Sequence, residues 1–201
     1  MFVGCDSKAI GMVCVADTLK TTSPDAVRKI KDLGIEVYML TGDNKLTANY
    51  IGEKVGADHV IAEVLPNDKA FVVEQLQKNG KCVMMVGDGI NDAPALVQAD
   101  VGVAIGSGSD IALDSSDVVL MKSDLNDVYK AIKLSKATIR NIKQNLFWAF
   151  FYNLCGIPLA AGVLYPINGM LLSPIIGGFA MSFSSVCVVS NALRLRRCKL
   201  K

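Results

Sequence analysis

The sequence predicts an α/β domain with a doubly wound parallel sheet, followed by an α-helical transmembrane hairpin. Short β-rich runs alternate with amphipathic stretches up to about residue 124, a pattern typical of parallel strands covered by helices. No Asp, Glu, Lys, Arg or His occurs from Gln144 to Leu193, and this stretch is long enough for two membrane helices. We therefore expect an α/β domain (1–124), a cytoplasmic stalk helix (125–143), a transmembrane segment (144–193) and a basic cytoplasmic tail (194–201).

The α/β prediction rests on a regular succession of strands and helices. Ser23 and Pro24 are typical of a helix start, whereas Gly34 and Gly80 are typical of helix ends. In such sheets, ligands bind beyond the carboxyl ends of the strands. Strands are expected at 11–16, 35–40, 60–62, 81–86, 101–105 and 118–121, and helices at 24–33, 45–54, 67–78, from about 91 and near Asp110.

The transmembrane hairpin is expected to consist of spans over about 145–164 and 170–193. A bilayer core of roughly 30 Å needs about 20 helical residues, so both stretches fit. Arg140 and Lys143 precede the first span, and five further basic residues follow the second. The positive-inside rule then predicts a multi-pass protein of the cell membrane with both ends in the cytoplasm.

Composition excludes several other classes of protein. The net charge is only +2 and the basic residues cluster near the apolar spans, so we expect no nucleic acid as a partner. The six cysteines are scattered without a C-x-x-C pair, which argues against a zinc site or a disulfide framework. The first residues contain no basic run followed by an apolar core, and no signal peptide is predicted.

Two polar motifs and a lysine follow or separate the predicted strands. In the first motif, TGDN, the Thr41 hydroxyl and backbone N–H groups at a helix start suit phosphate oxygens. In the second, GDGINDAPAL, Asp88 and Asp92 flank glycines and suit oxygen coordination of Mg²⁺. Lys69, near a helix start after Pro66, offers a positive charge to a phosphoryl oxygen. Each feature alone is typical of a solvated loop, but their succession favours a phosphoryl-transfer site.

These motifs resemble the haloacid dehalogenase-type phosphorylation domain of P-type ATPases. In that family MgATP phosphorylates an aspartate, and hydrolysis of the phosphoenzyme is coupled to ion movement. The resemblance implies a HAD-like fold, Mg²⁺ as cofactor and ATP as a substrate bound mainly by a domain outside these residues. It also implies that Thr41, Gly42, Asp43 and Lys69 act on the phosphoryl group, and that Asp88, Asn91 and Asp92 form the Mg²⁺ site.

The chain also departs from that family. The nucleophilic aspartate belongs to a D-K-T-G-T motif, and neither this string nor the T-G-E of the actuator domain occurs here. Since covalent catalysis needs its nucleophile, we expect the chain alone to form no phosphoenzyme. Its opening resembles the return from the nucleotide-binding domain, so we expect Met1 to be an internal start or a fragment boundary. The strand that carries the nucleophile is central in such sheets, and its loss predicts exposed edges and poor folding in isolation.

The predicted spans contain residues that suggest a transported ion. Met181, Ser184 and Ser185 lie on one helical face of the second span, and a thioether suits Cu(I). Tyr152 and Asn153 place polar groups in the first span, where such groups are costly and usually functional. Each residue taken alone is more typical of helix packing.

Together these residues resemble the copper-transporting heavy-metal ATPases. The resemblance implies a Cu(I) path, with Ag(I) as an alternative ion, in the direction of export. It further implies the bilayer, upstream domains of the same pump and a copper chaperone as partners. Cys155 and Cys187 match no ligand position of that family, and we interpret them as packing residues.

Three alternatives remain open at this stage. A zinc or cadmium pump would be expected to recruit an intramembrane carboxylate, and the predicted spans contain none. A non-catalytic, membrane-anchored remnant or partner of a split pump would explain the missing nucleophile. A soluble phosphatase of the same superfamily would need a nucleophile, for which Asp17 is the candidate by position, but the residues after Asp17 lack the D-x-D/T pattern.

Overall fold

The computed structural model describes residues 2–5, 8–12, 18–88, 90–106, 114–163, 165–169 and 174–197. The chain divides into two compact units, Met1–Tyr129 and Lys130–Lys201. The first unit contains the predicted sheet and both polar motifs. The second contains the uncharged segment.

The first unit opens with a pair of strands and continues with alternating helices and strands. A short 3₁₀ turn, Ile90–Asp92, follows the fifth strand. The elements in chain order are β1 (Phe2–Cys5), β2 (Lys8–Met12), α1 (Ser23–Lys31), β3 (Tyr38–Leu40), α2 (Lys45–Val55), β4 (His59–Ile61), α3 (Pro66–Lys78), β5 (Met84–Gly87), α4 (Ala93–Gln98), β6 (Val101–Ile105) and β7 (Val118–Leu120).

The strands from β3 onward pair in parallel, which confirms the predicted α/β class. In one sheet β3 lies beside β4, with Tyr38 opposite His59. In the other the order is β5–β6–β7, with Val86 opposite Val103. The observed strands begin later than predicted at β3 and β5, because the residues before Tyr38 and Met84 form no ladder.

The first two strands form an antiparallel hairpin, and the prediction of a uniformly parallel arrangement is wrong for them. Phe2 pairs with Met12 and Cys5 with Lys8, with a register shift between Val3 and Gly4. Four residues in β1 offered too short a pattern to predict a strand. The strand expected at 11–16 overlaps β2 at its first two positions, while 13–17 and the helix expected near Asp110 lie outside the described residues.

The core of the first unit is formed where helices cover the sheets. Leu96 of α4 and Val73 of α3 are almost fully buried, and burial of each such side chain contributes about 1.5–3 kcal/mol. Gly52 lets α2 approach β4, since a Cβ at this position would clash with the Val60 side chain. Further buried apolar side chains are Ala26, Val27, Ala48, Ala95, Val103, Ala104 and Val128.

Residues at the helix termini explain where α2 and α3 begin and where α2 ends. The Asn44 side chain accepts a hydrogen bond of 3.0 Å from the Thr47 N–H and so caps α2. Gly56, with φ of 81°, ends the same helix in the left-handed region that favours glycine. Pro66 occupies the first turn of α3, where its missing N–H costs nothing. The first turns of α2 and α3 are therefore defined by the sequence.

The second unit is helical. A single helix, α5 (Leu125–Ala160), begins in the first unit and continues without a break into the uncharged sequence; it contains Pro158 near its end. It is followed by α6 (Tyr165–Asn168), α7 (Pro174–Leu193) and a 3₁₀ turn, Arg194–Arg197. Among the residues that the structure describes, no helix meets both the length and the apolar character needed to cross a membrane.

Candidate functional site

The loop after β3 is held to the neighbouring strand by backbone hydrogen bonds. The Thr41 N–H donates to the Ile61 carbonyl, and the Val64 N–H donates to the Thr41 carbonyl, each over 3.0 Å. The Thr41 hydroxyl donates to the Asp43 carboxylate (2.9 Å) and accepts the Asp43 N–H (3.1 Å). The structure therefore brings Thr41 and Asp43 together, in a loop where Gly42 and Asp43 are exposed.

The second feature of the site is an ion pair between α3 and the 3₁₀ turn after β5. Lys69 Nζ lies 2.6 Å from Asp92 Oδ1, and the two side chains are only 18 % and 12 % exposed. Such a short charge-assisted hydrogen bond is stronger than a neutral one. It holds the Lys69 ammonium at the carboxyl end of β5.

Gly87 makes room for this ion pair. A Cβ at Gly87 would lie 2.6 Å from Asp92 Cβ and 2.8 Å from Asp92 Oδ2, far closer than real Cβ contacts allow. The carboxylate of Asp92 is therefore packed directly against the backbone at the end of β5. The first glycine of the G-D-G motif therefore allows the Asp92 side chain of the same chain to approach the backbone closely.

Asp88 and Asn91 differ from Asp92 because both are exposed. Asp88 follows β5 directly, and Asn91 lies in the next turn. Mg²⁺ is usually bound by one or two carboxylates together with waters and phosphate oxygens. The exposed Asp88 carboxylate and Asn91 amide fit that chemistry, whereas the Asp92 carboxylate is neutralised by Lys69. Among the described residues, no three His, Cys, Asp or Glu side chains form a metal-binding group.

The two motifs lie after β3 and β5, and the segments that lead into these strands are linked. Lys81 Nζ donates to the Tyr38 hydroxyl over 2.8 Å and also contacts the Glu36 carboxylate. Lys81 holds the pKa of Glu36 below its usual range, with a further contribution from the Tyr38 hydroxyl. In the described part of the chain, no side-chain hydrogen bond joins Thr41 or Asp43 to Lys69 or Asp92.

In the second unit, the predicted copper residues lie on α5 and α7. The Tyr152 hydroxyl is 3.7 Å from Cys187 Sγ, and the Asn153 amide donates to the Ala149 carbonyl of its own helix over 3.0 Å. Ser184 is half-buried and Ser185 is exposed. Met181 belongs to α7, but its side chain lies outside the described residues. Cys187 was interpreted from sequence as a packing residue; the contact with the Tyr152 hydroxyl was not predicted.

Sequence reasoning also missed a cluster of three asparagine side chains that links α5 to α7. The Asn141 amide donates to the Asn191 carbonyl over 2.8 Å, and the Asn191 amide donates to Asn145 Oδ1 over 2.8 Å. The Asn145 amide donates to Asn141 Oδ1 over 3.2 Å. The spacing of Asn141 and Asn145 by one helical turn was the available signal.

Comparison with known proteins shows what the first unit is similar to. Residues 2–100 match the family model of haloacid dehalogenase-like hydrolases. These residues contain the strand pair β3–β4 and strand β5, with the polar loops that follow β3 and β5, so the part of the chain that holds the candidate site is similar to haloacid dehalogenase-like hydrolases.

Relatives of the chain include copper-exporting and silver exporting P-type ATPases. It is 56% identical to a copper-exporting P-type ATPase of Vibrio cholerae over 94% of this chain and 21% of that protein. It is 48% identical to a silver exporting P-type ATPase of Salmonella typhimurium, over 100% of this chain and 24% of that protein. A crystal structure of a zinc-transporting PIB-type ATPase in the E2.Pi state superposes with a TM-score of 0.75 at 36% identity, over 89% of this chain and 28% of that one. The chain thus spans about a quarter of the length of these proteins.

Proposed function

We propose that the chain is part of an ATP-driven Cu(I) exporter that works through an aspartyl-phosphate intermediate, with Ag(I) as an alternative ion. The observation that carries the phosphoryl-transfer part is the Lys69–Asp92 contact at the end of β5, beside the exposed Asp88. Such a cation, fixed in place before the reaction, stabilises developing negative charge without further reorganisation. The similarity to copper-exporting and silver exporting pumps over nearly the whole chain supports the ion.

The proposed site divides its work between the two loops. Lys69 donates to an oxygen of the transferred phosphoryl group, and Asp92 positions the Lys69 ammonium. The Thr41 hydroxyl, now bonded to Asp43, turns to a second phosphoryl oxygen, with Gly42 leaving the backbone accessible. Asp88 and Asn91 hold Mg²⁺, with Asp92 nearby. When bound, Mg²⁺ supplies charge neutralisation at the phosphoryl oxygens.

The nucleophile comes from a D-K-T-G-T segment that these 201 residues do not contain. Its carboxylate oxygen forms a bond to the γ-phosphorus of ATP while the bond to the bridging oxygen of ADP breaks. Water later takes up the phosphoryl group and the carboxylate is restored. The chain alone therefore binds parts of the reacting group but forms no phosphoenzyme.

The proposed membrane part consists of the two spans over about 145–164 and 170–193, with both ends in the cytoplasm. Its support is the absence of charged residues from Gln144 to Leu193 and the basic residues on either side. The proposed Cu(I) path uses side chains of both helices, and a copper chaperone delivers the ion. The path residues are Tyr152, Asn153, Met181, Ser184 and Ser185.

A zinc pump is the second candidate, because the superposed crystal structure is of a zinc-transporting ATPase. Identity to that protein is 36%, against 56% for the copper exporter. Carboxylate oxygens are among the ligands that bind Zn²⁺ in proteins, and the uncharged segment supplies no carboxylate. These two facts favour a soft monovalent ion.

The test is ion-stimulated ATP hydrolysis by the chain fused to the upstream region of its own locus. We expect stimulation by Cu(I) and Ag(I) but not by Zn²⁺, and loss of activity in Asp88→Asn. Met181→Leu should raise the Cu(I) concentration needed for half-maximal stimulation by about tenfold, as expected for loss of one good ligand contact. Stimulation by Zn²⁺ alone would favour the zinc pump, and an inactive fusion would favour a non-catalytic remnant.

A further inference from the structure

A shallow, open groove with a volume of about 520 Å³ runs along one face of α5 in the second unit and is lined by side chains of this helix alone. Three of its lining residues are cations, Lys136, Arg140 and Lys143, and two are aromatic, Phe147 and Trp148. The three cations and Phe147 follow one another at spacings of three or four residues, and Trp148 lies eight residues after Arg140, so all five lie on the same side of the helix. None of them belongs to the proposed phosphoryl site or to the proposed Cu(I) path.

The charge of the second unit is entirely positive. All 19 acidic residues of the chain lie between Asp6 and Asp127, so the groove has no carboxylate from its own unit to neutralise it. Lys136, Arg140 and Lys143 are all exposed. Because the three cations line one groove, their fields add and favour an anionic ligand.

The aromatic residues at one end of the groove indicate that the anionic ligand also has an apolar part. Phe147 and Trp148 are 60% and 44% exposed and follow the start of the uncharged segment at Gln144. Aromatic side chains of this kind occupy the interface between headgroups and acyl chains. A free phosphate would use the cations and leave the rings in water, whereas an anionic amphiphile satisfies both ends.

We infer that this groove binds the headgroup of an anionic phospholipid, with the first part of its acyl chains against Phe147 and Trp148. The inference rests on the proposed membrane position of the second unit. Cations beside a membrane span attract anionic lipids, and here three of them are spaced along a single helix face. The bound lipid holds α5 at the level where the stalk enters the bilayer.

Trp148 provides a direct probe because it is the single tryptophan of the chain. The full chain is reconstituted into phosphatidylcholine vesicles that contain increasing fractions of phosphatidylglycerol, with bromine atoms on the acyl chains of one lipid at a time. Quenching of Trp148 fluorescence then reports which lipid lies beside the ring. We expect brominated phosphatidylglycerol to bind about fivefold to tenfold more tightly than brominated phosphatidylcholine.

Three variants complete the test. The triple variant K136Q/R140Q/K143Q should lose the preference, and K136R/R140K/K143R should keep it because the charges remain. The control variant K8Q/K54Q/K78Q removes three exposed charges from the first unit and should leave the preference unchanged. Soluble glycerol phosphate, added as a competitor, should not displace the lipid.

The outcomes separate this inference from the proposed membrane hairpin. Absence of quenching by either brominated lipid would contradict the membrane position itself. Equal quenching by both lipids, or a preference that survives in K136Q/R140Q/K143Q, would overturn the lipid site while leaving the hairpin in place. Loss of the preference after fusion to the upstream region would assign the groove to other helices of the pump and would also overturn it.

Discussion

Lys69 Nζ lies 2.6 Å from Asp92 Oδ1, although 23 residues separate the two positions in the chain. The contact joins the first turn of α3 to the turn after β5. It is possible because Gly87 carries no side chain where the Asp92 carboxylate packs. A lysine and a G-D-G motif that are distant in sequence thereby become one feature.

The first prediction concerns this ion pair. Lys69→Met leaves a mostly buried carboxylate without its cation, and we expect a loss of about 1–3 kcal/mol in the free energy of opening of β5 and β6. The double variant Lys69→Met/Asp92→Asn should lose less than the sum of the two single changes. Amide hydrogen exchange of the β5 and β6 backbone measures both.

The matched control for this prediction is Lys78→Met. Lys78 pairs with Glu74 one turn away on the same helix, at 2.7 Å, but the two side chains are 59% and 42% exposed, far more than those of Lys69 and Asp92. Exposed pairs contribute about 0.2–1 kcal/mol or less, so the change should be small. Equal effects of Lys69→Met and Lys78→Met would show that the Lys69–Asp92 pair has no special role.

The second prediction concerns Gly87. In Gly87→Ala the new methyl group meets Asp92, which has to move, and overpacking of this kind costs about 1–3 kcal/mol. We expect weaker protection of β5 against hydrogen exchange, and a lower rate of phosphorylation in the fusion protein because Lys69 moves with Asp92. Gly11→Ala is the control, since nothing lies within 4 Å of its added Cβ. A Gly87→Ala variant as stable and active as wild type would contradict the packing described here.

The third prediction concerns the asparagine cluster of the second unit. Asn191→Leu removes the donor to Asn145. If α5 and α7 lie in a membrane as proposed, a hydrogen bond of this kind contributes about 0.6 kcal/mol on average and up to about 1.7 kcal/mol. We expect a loss in this range in the unfolding of the full chain in detergent micelles, followed by Trp148 fluorescence. The exposed neighbour Ser190→Ala should have no measurable effect.

The fourth prediction concerns the loss of folding stability at acidic pH. The pKa of Asp58 is held below its usual range, chiefly by Lys31 and further by the Val37 N–H. The pKa of Asp100 is also lowered, chiefly by the Val83 N–H and further by the Gln77 side chain. A lowered pKa in the folded state stabilises the fold above the unfolded carboxyl value of about 3.9. This contribution is lost as the pH falls through the lower folded values.

Thermal melts of the full chain between about pH 2 and 6 measure this dependence over the range of carboxyl titration. Asp58→Asn/Asp100→Asn keeps the oxygen that accepts the backbone N–H but does not titrate, so its melting temperature should vary less with pH than that of wild type. Asp32→Asn is the control. If the melting temperature of the double variant depended on pH as strongly as that of wild type, this explanation would be wrong.

The sequence predicted those parts of the fold that depend on local patterns. Apolar runs bounded by turn residues indicated β6 at its observed bounds. Through their backbone preferences, Pro66 indicated the start of α3 and Gly80 indicated its end. The β1–β2 hairpin escaped prediction because its strands are short and its pairing depends on register rather than on composition.

Site contacts between distant residues were harder to predict. The TGDN and GDGINDAPAL motifs identified Thr41, Asp88 and Asp92 as candidates, but the pairing of Asp92 with Lys69 depends on how α3 packs near β5. The link from Tyr152 to Cys187 spans 35 residues and two helices. Such contacts follow from tertiary packing, which has no local signal.

Phosphoenzyme formation from labelled ATP in membranes tests directly whether the chain is part of a copper pump. The experiment compares the chain alone with the chain fused to the upstream region of its own locus, with and without Cu(I). We expect label only on the fusion, more label with Cu(I), and loss of the label in Asp88→Asn. Label on the chain alone would contradict the proposal that these residues lack the nucleophilic aspartate. An unlabelled fusion would contradict the assignment to a copper pump.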